Sequence, residues 1–112
     1  MTDLAALRAG MRAFIEERDW ARFHDPKSVL LALVGEVGEL AELLQWLPAG
    51  EARDQAGQEP LRTRLGEELG DVQLYLVLLA DVLGIDLGEA ARAKLAANHV
   101  RHPVGGTGAE KV

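Results

Sequence analysis

Gly35-Glu36-Val37-Gly38-Glu39-Leu40 returns, thirty-two residues further on, as Glu67-Glu68-Leu69-Gly70-Asp71-Val72. Each copy reads acid, apolar, glycine, acid, apolar inside a segment whose apolar residues recur at helical spacing. Carboxylates three apart on a helix share a face, with Cβ atoms roughly 5 to 6 Å apart. Each stretch therefore offers two oxygen ligands in one direction, and two such helices facing each other would set Glu36, Glu39, Glu68 and Asp71 around one point.

Working outward, projection at about 100° per residue draws a core stripe of Leu30, Leu33, Val37, Leu40 and Leu44 on the first of these helices. On the second it draws Leu65, Leu69, Val72, Leu76 and Leu83. Glu36 and Glu68 fall beside the stripes, Glu39 and Asp71 one step further round, and Tyr75 between the two acids of the second helix. An ionised carboxylate withdrawn from water is costly unless it is paired or binds a cation. Lys27, Arg62 and Arg64 are the nearest basic residues, and none lies one turn from all four acids. A bound divalent cation is the simplest compensation. All-carboxylate sites suit Mg²⁺ or Mn²⁺, whereas a ferritin-like di-iron site would want Glu-x-x-His on two helices.

The remaining helices follow from caps and periods. Leu4, Leu7, Met11, Phe14 and Ile15 predict a helix from about Asp3 to Glu17. Asp25 and Pro26 supply N-cap and first position for the second, which should run to about Trp46 before Pro48 and Gly50 stop it. Ala49 to Gln58 lacks a period and is expected to be an exposed connection. A third helix is expected from Pro60 to Gly84, and a fourth from an Asp86/Glu89 capping box to just before Pro103. The expectation is an all-α, four-helix domain over residues 1–104 with a loose tail over residues 105–112. Leu74, Val77 and Leu78 point away from the projected stripe of the third helix, so a second side of that helix should be buried against another copy. A homo-oligomer is expected.

At 112 residues, with 48% hydrophobic and 27% charged residues, the chain has the length and composition of one globular domain. Its net charge of −6 argues against a nucleic-acid polymer, whose phosphates need clustered Lys and Arg. The absence of cysteine rules out disulfides and thiolate chemistry. No apolar run approaches the ~20 residues of a membrane span, and Asp3 without a following apolar run is unlike a signal peptide; the cytoplasm is the expected compartment. His24 reads either as a capping or surface residue or as a ligand contact, and Trp20 and Trp46 either as core or as pocket walls. Lys94, Asn98 and Arg101 form one polar, mostly basic helix face, either solvated or available to phosphates.

Trp20, Phe23-His24-Asp25-Pro26, Leu30 to Trp46 (LLALVGEVGELAELLQW), the second acidic stretch and Lys94 to Val104 (KLAANHVRHPV) together resemble the all-α MazG-like nucleoside triphosphate pyrophosphohydrolases. The likeness is nearest to the dCTP pyrophosphatases and spans roughly Trp20 to Val104. The resemblance implies hydrolysis of a small-molecule (deoxy)nucleoside triphosphate to the monophosphate and pyrophosphate in a Mg²⁺-dependent helical oligomer, a dimer or a tetramer built from dimers. By position it assigns Glu36, Glu39, Glu68 and Asp71 to metal binding and catalysis. Trp20, His24, Trp46, Tyr75, Lys94 and Asn98 match positions that line the nucleotide pocket. Gly35 stands where many members carry a further Glu, and His102 where near relatives have Tyr. From the residues alone, the rival is a non-catalytic helical oligomerisation module with solvated acidic faces.

Overall fold

The computed structural model describes residues 3–105 and is helical throughout, with α1 (Leu4–Glu17), a single 3-10 turn (Ala21–Phe23), α2 (Pro26–Leu44), α3 (Ala49–Ala56), α4 (Leu61–Leu83) and α5 (Leu87–Arg101). The starts are held by the expected short acids. Asp3 accepts from the Ala6 N–H at 2.7 Å, Asp25 from the Ser28 N–H at 2.9 Å, and Asp86 from the Glu89 N–H at 3.0 Å. Only half of the Asp86/Glu89 box forms, because the Glu89 carboxylate turns instead to Arg92 at 2.6 Å. α4 ends in a Schellman closure: the Gly84 N–H reaches the Asp81 carbonyl and the Ile85 N–H the Ala80 carbonyl at 2.8 Å. That closure needs φ of 69° at residue 84, which glycine adopts without a Cβ clash.

One element was not expected. Ala49–Ala56 forms α3 where the sequence reading places an exposed connection. The segment has no apolar period, but Ala, Glu, Arg and Gln are all good helix formers, and α3 packs against α4. At the other boundary α2 stops at Leu44, two residues before the expected end, so Trp46 leaves the helix in the following turn. The expected tail, apart from Gly105, lies outside the described residues.

α2 and α4 make the most extensive pairing, and they run antiparallel: Val29 packs with Leu78, Glu36 and Glu39 approach Glu68, and Leu43 shares a cavity with Leu61. The core lies at the Val29 end, where Ile15 of α1, Val29 (2% exposed) and Leu78 (7%) are buried together and Met11, Tyr75, Leu79 and Val82 pack around them. Arg12 ties α1 to α4 by a two-pronged pair with Asp81, its Nε at 2.8 Å from Oδ2. This bond holds the Asp81 carboxyl below its ordinary range.

The inward faces are rotated from the projected stripes. On α2 the inward line runs through Val29, Leu33, Glu36, Leu40 and Leu44, while Leu30 and Val37 are exposed. On α4, Val77 and Leu78 are buried, contrary to the expectation that they point away, and Leu69, Leu76 and Leu83 are the exposed ones. The cause is that both helices are apolar on more than one side, so α1, by packing Ile15 and Met11 on Leu78, decides which side becomes interior. Leu74, the third residue named with them, is indeed exposed.

Much apolar surface is left over. Leu31, Val34, Val37, Leu69 and Leu76 are exposed on the two central helices, and α5 makes no extended packing with any other helix. The radius of gyration, 17.2 Å, exceeds the roughly 13 Å of a compact chain this long.

Candidate metal centre and adjoining pocket

Glu36 and Glu39 lie one turn apart on α2, and the antiparallel pairing brings Glu68 of α4 up to them. One carboxylate oxygen from each lies within 4.8 Å of the other two. The Oε2 atoms of Glu36 and Glu68 are fully enclosed and have no hydrogen-bond partner. Orphaned buried oxygens are rare, because each forfeits its water without replacement. Loss of water is the first cause that raises the pKa of Glu36; the adjacent Glu39 is the next, with the Asp71 and Glu68 charges behind it. Glu68 is raised likewise, by burial first and then by the charges of Glu39 and Asp71. Three hard oxygen donors that converge, repel one another and leave two lone-pair sites empty fit a hard divalent cation.

Asp71 is placed differently. It stands close enough to act on Glu36 and Glu68 by charge, but it is exposed and lies outside the tight three-acid group. Its side also lines an apolar cavity of about 220 Å³ with Trp20, His24 and Tyr75, closed below by Ile15 and Leu78. The cavity wall is built locally. Asp19 takes a left-handed φ of 55°, which turns the chain after α1 so that Trp20 meets Phe14 edge-on at 5.7 Å. Arg18 lies over the Phe14 ring, 3.6 Å from its centre. His24 follows the 3-10 turn and enters the same cavity.

Within one chain the structure thus brings together Glu36, Glu39, Glu68 and, at the border, Asp71, and it gathers Trp20, His24 and Tyr75 into one adjoining cavity. It does not bring Trp46, Lys94 or Asn98 to either. Trp46 is 86% exposed after the early end of α2, and Lys94 and Asn98 stand on the loosely packed α5. Two further residues join the acids from the far side. A cavity of about 590 Å³ is lined by Glu39, Glu42, Leu43, Leu61, Arg64 and Glu68. Arg64 and Glu42 were legible by spacing, one turn before Glu68 and one turn after Glu39.

Residues 24–105 match the MazG nucleotide pyrophosphohydrolase domain. The chain belongs to this family. The chain is 52% identical over 91 residues to dCTP pyrophosphatase 1 of Bos taurus, covering 81% of this chain and 54% of the relative. The human dCTP pyrophosphatase 1 is 51% identical over 90 residues, 80% of this chain and 53% of that protein. The chain therefore spans about half the length of these relatives. Among solved structures, a pyrophosphatase from Archaeoglobus fulgidus superposes with a TM-score of 0.83 at 30% identity, covering 92% of this chain and 94% of its own. That likeness places the five helices of the chain in a known all-α fold. No described helix is long and apolar enough to cross a membrane.

Proposed function

We propose that this chain hydrolyses a (deoxy)nucleoside triphosphate, dCTP or a modified dCTP first among them, to the monophosphate and pyrophosphate. The observation that carries the reading is the three-carboxylate cluster with two orphaned oxygens, which meets an aromatic cavity at Asp71. Glu36, Glu39, Glu68 and Asp71 would hold Mg²⁺, or Mn²⁺, by hard oxygen ligands. Such a cation, once bound, supplies positive charge to phosphate oxygens and makes water more acidic. Family membership and the dCTP pyrophosphatase relatives support the reaction class.

The chain's own residues divide the work by position. Trp20 and Tyr75 offer ring faces to a base, and stacking of this kind is tolerant of which base it holds. His24 brings a hydrogen-bonding edge into an otherwise apolar cavity, and such bonds discriminate because a wrong partner leaves them unmet. The phosphates then lie over the acids, and Glu36 or Glu39 takes the proton of the attacking water. Trp46, Lys94 and Asn98, remote from the site within one chain, act from a second copy in a homodimer or tetramer. The exposed Leu31, Val34, Val37, Leu69 and Leu76 supply the apolar surface for that association. A substrate of this class belongs to the nucleotide pool, which puts the enzyme in the cytoplasm.

Incubation with the common nucleoside and deoxynucleoside triphosphates and Mg²⁺, reading out pyrophosphate, tests the proposal. Release is expected to be fastest from dCTP. No pyrophosphate from any triphosphate would leave the chain a helical association module with a vestigial acid cluster.

A further inference from the structure

The cavity on the outer side of the acid cluster holds a cation that the proposed site has not yet used. Arg64 lies on α4 one turn before Glu68, so the two Cβ atoms share a helix face. Its side chain lines the same cavity as Glu39, Glu42 and Glu68. Among the described residues, Arg12, Arg18, Arg22 and Arg92 each have a carboxylate within 4.0 Å. Arg64 has none within that distance and makes no side-chain hydrogen bond among the described residues, and it differs from the likewise unpaired Arg8, Arg53, Arg62 and Arg101 in lining the cavity of Glu39, Glu42 and Glu68. A guanidinium presents five donors in a rigid fork that fits phosphate oxygens two at a time.

The order of features along α4 gives this cation a direction. Tyr75 belongs to the aromatic cavity, Asp71 to its border with the acids, Glu68 to the acid cluster and Arg64 to the outer cavity. At 1.5 Å per residue, Arg64 lies about 16 Å along the axis from Tyr75, with the acids between them. A nucleotide whose base stacks at Trp20 and Tyr75, and whose phosphate chain crosses the acids, points its terminal phosphates toward Arg64.

We propose that Arg64 binds the terminal, pyrophosphate end of the triphosphate chain and neutralises charge on the leaving pyrophosphate. The proposal rests on the reading of the acids as a triphosphate site. Water's oxygen joins the nucleotide's phosphoryl group, the bridge to the pyrophosphate breaks, and its electron pair departs on the pyrophosphate. Arg64 stays protonated throughout and exchanges no proton.

The test compares wild type, Arg64→Ala and Arg64→Lys in three measurements: thermal melting, calorimetric binding of inorganic pyrophosphate with Mg²⁺ present, and KM for the best triphosphate. Hydrogen bonds to charged groups predict that Arg64→Ala weakens pyrophosphate binding and raises KM by roughly 10- to 100-fold. Arg64→Lys should recover part of both losses, and monophosphate binding should change little. Wild type that releases pyrophosphate while Arg64→Ala binds it unchanged would remove Arg64 from the site and leave the reaction standing. A melting loss in both variants with unchanged pyrophosphate affinity would make Arg64 a structural partner of the acids. Wild type that neither binds nor releases pyrophosphate would overturn this assignment together with the proposed function.

Discussion

Glu68→Gln should stabilise this protein without metal and destabilise it with metal. The substitution keeps the shape of the side chain and removes the charge that repels Glu36, Glu39 and Asp71. In metal-free buffer that relief should raise the melting temperature above wild type. With Mg²⁺ present the order should reverse. At a Mg²⁺ concentration one hundred times the wild-type Kd, binding to the native state adds about 2.7 kcal/mol. Groups that only support metal ligands already change affinity by about 10- to 100-fold, so loss of the ligand itself should cost at least the larger factor. At the same Mg²⁺ concentration the variant then gains only about 0.4 kcal/mol. The difference of roughly 2 kcal/mol corresponds to a melting-temperature gap on the order of 10 °C for a domain of this size. Thermal melts with EDTA and with Mg²⁺, at one protein concentration, read both signs. A variant that melts below wild type in EDTA, or that keeps the full Mg²⁺ shift, would refute the carboxylate cluster as a strained cation site.

Three further outcomes follow from named groups. In EDTA the melting temperature should fall as pH rises above 4.5, the ordinary value for Glu36 and Glu68, because the native state holds protons on their raised carboxyls that the unfolded chain releases. Asp81 does not mask this, since its lowered pKa withdraws stability only as pH falls below its ordinary 3.8, and a melting temperature that rose with pH would contradict the reasoning. Leu31→Glu with Val34→Glu should yield smaller particles in sedimentation and lose activity, whereas a wild type that sediments as an active monomer at micromolar concentration would remove the oligomer. His24→Ala should change the ratio of kcat/KM between dCTP and other nucleotides, and a lowered melting temperature with that ratio unchanged would make His24 a packing residue.

What the sequence made legible was what neighbouring residues decide among themselves. Asp25-Pro26 and Gly84 mark helix ends because their bonds reach only three or four residues away. The convergence of Glu36, Glu39 and Glu68 was legible for a related reason: a spacing of three fixes a shared face, and its repetition supplied the partner. The inward faces of α2 and α4 were not, because helices with apolar residues on several sides take their interior from whatever packs on them. Here that is Ile15 and Met11, which pack on Leu78. α3 escaped notice because its evidence is propensity without period. α2 was expected to reach Trp46 but ends at Leu44, and the cavity around Arg64 depends on Glu42 and Leu43 arriving from the other helix.

The antiparallel pairing of α2 and α4 also sets the order in which the molecule can be assembled. Both acidic stretches belong to one helical hairpin, and closing it at Glu36 and Glu68 joins residues thirty-two apart, whereas the Arg12–Asp81 clasp joins residues sixty-nine apart. Shorter loops lose less entropy on closure, and chains rich in near contacts fold faster. The hairpin that carries the ligands is thus the kinetically favoured first piece, formed ahead of the clasp by α1 and ahead of any encounter between copies. Like charges meet at its centre as it closes, so a divalent cation that binds the proposed site would also ease the earliest step of folding.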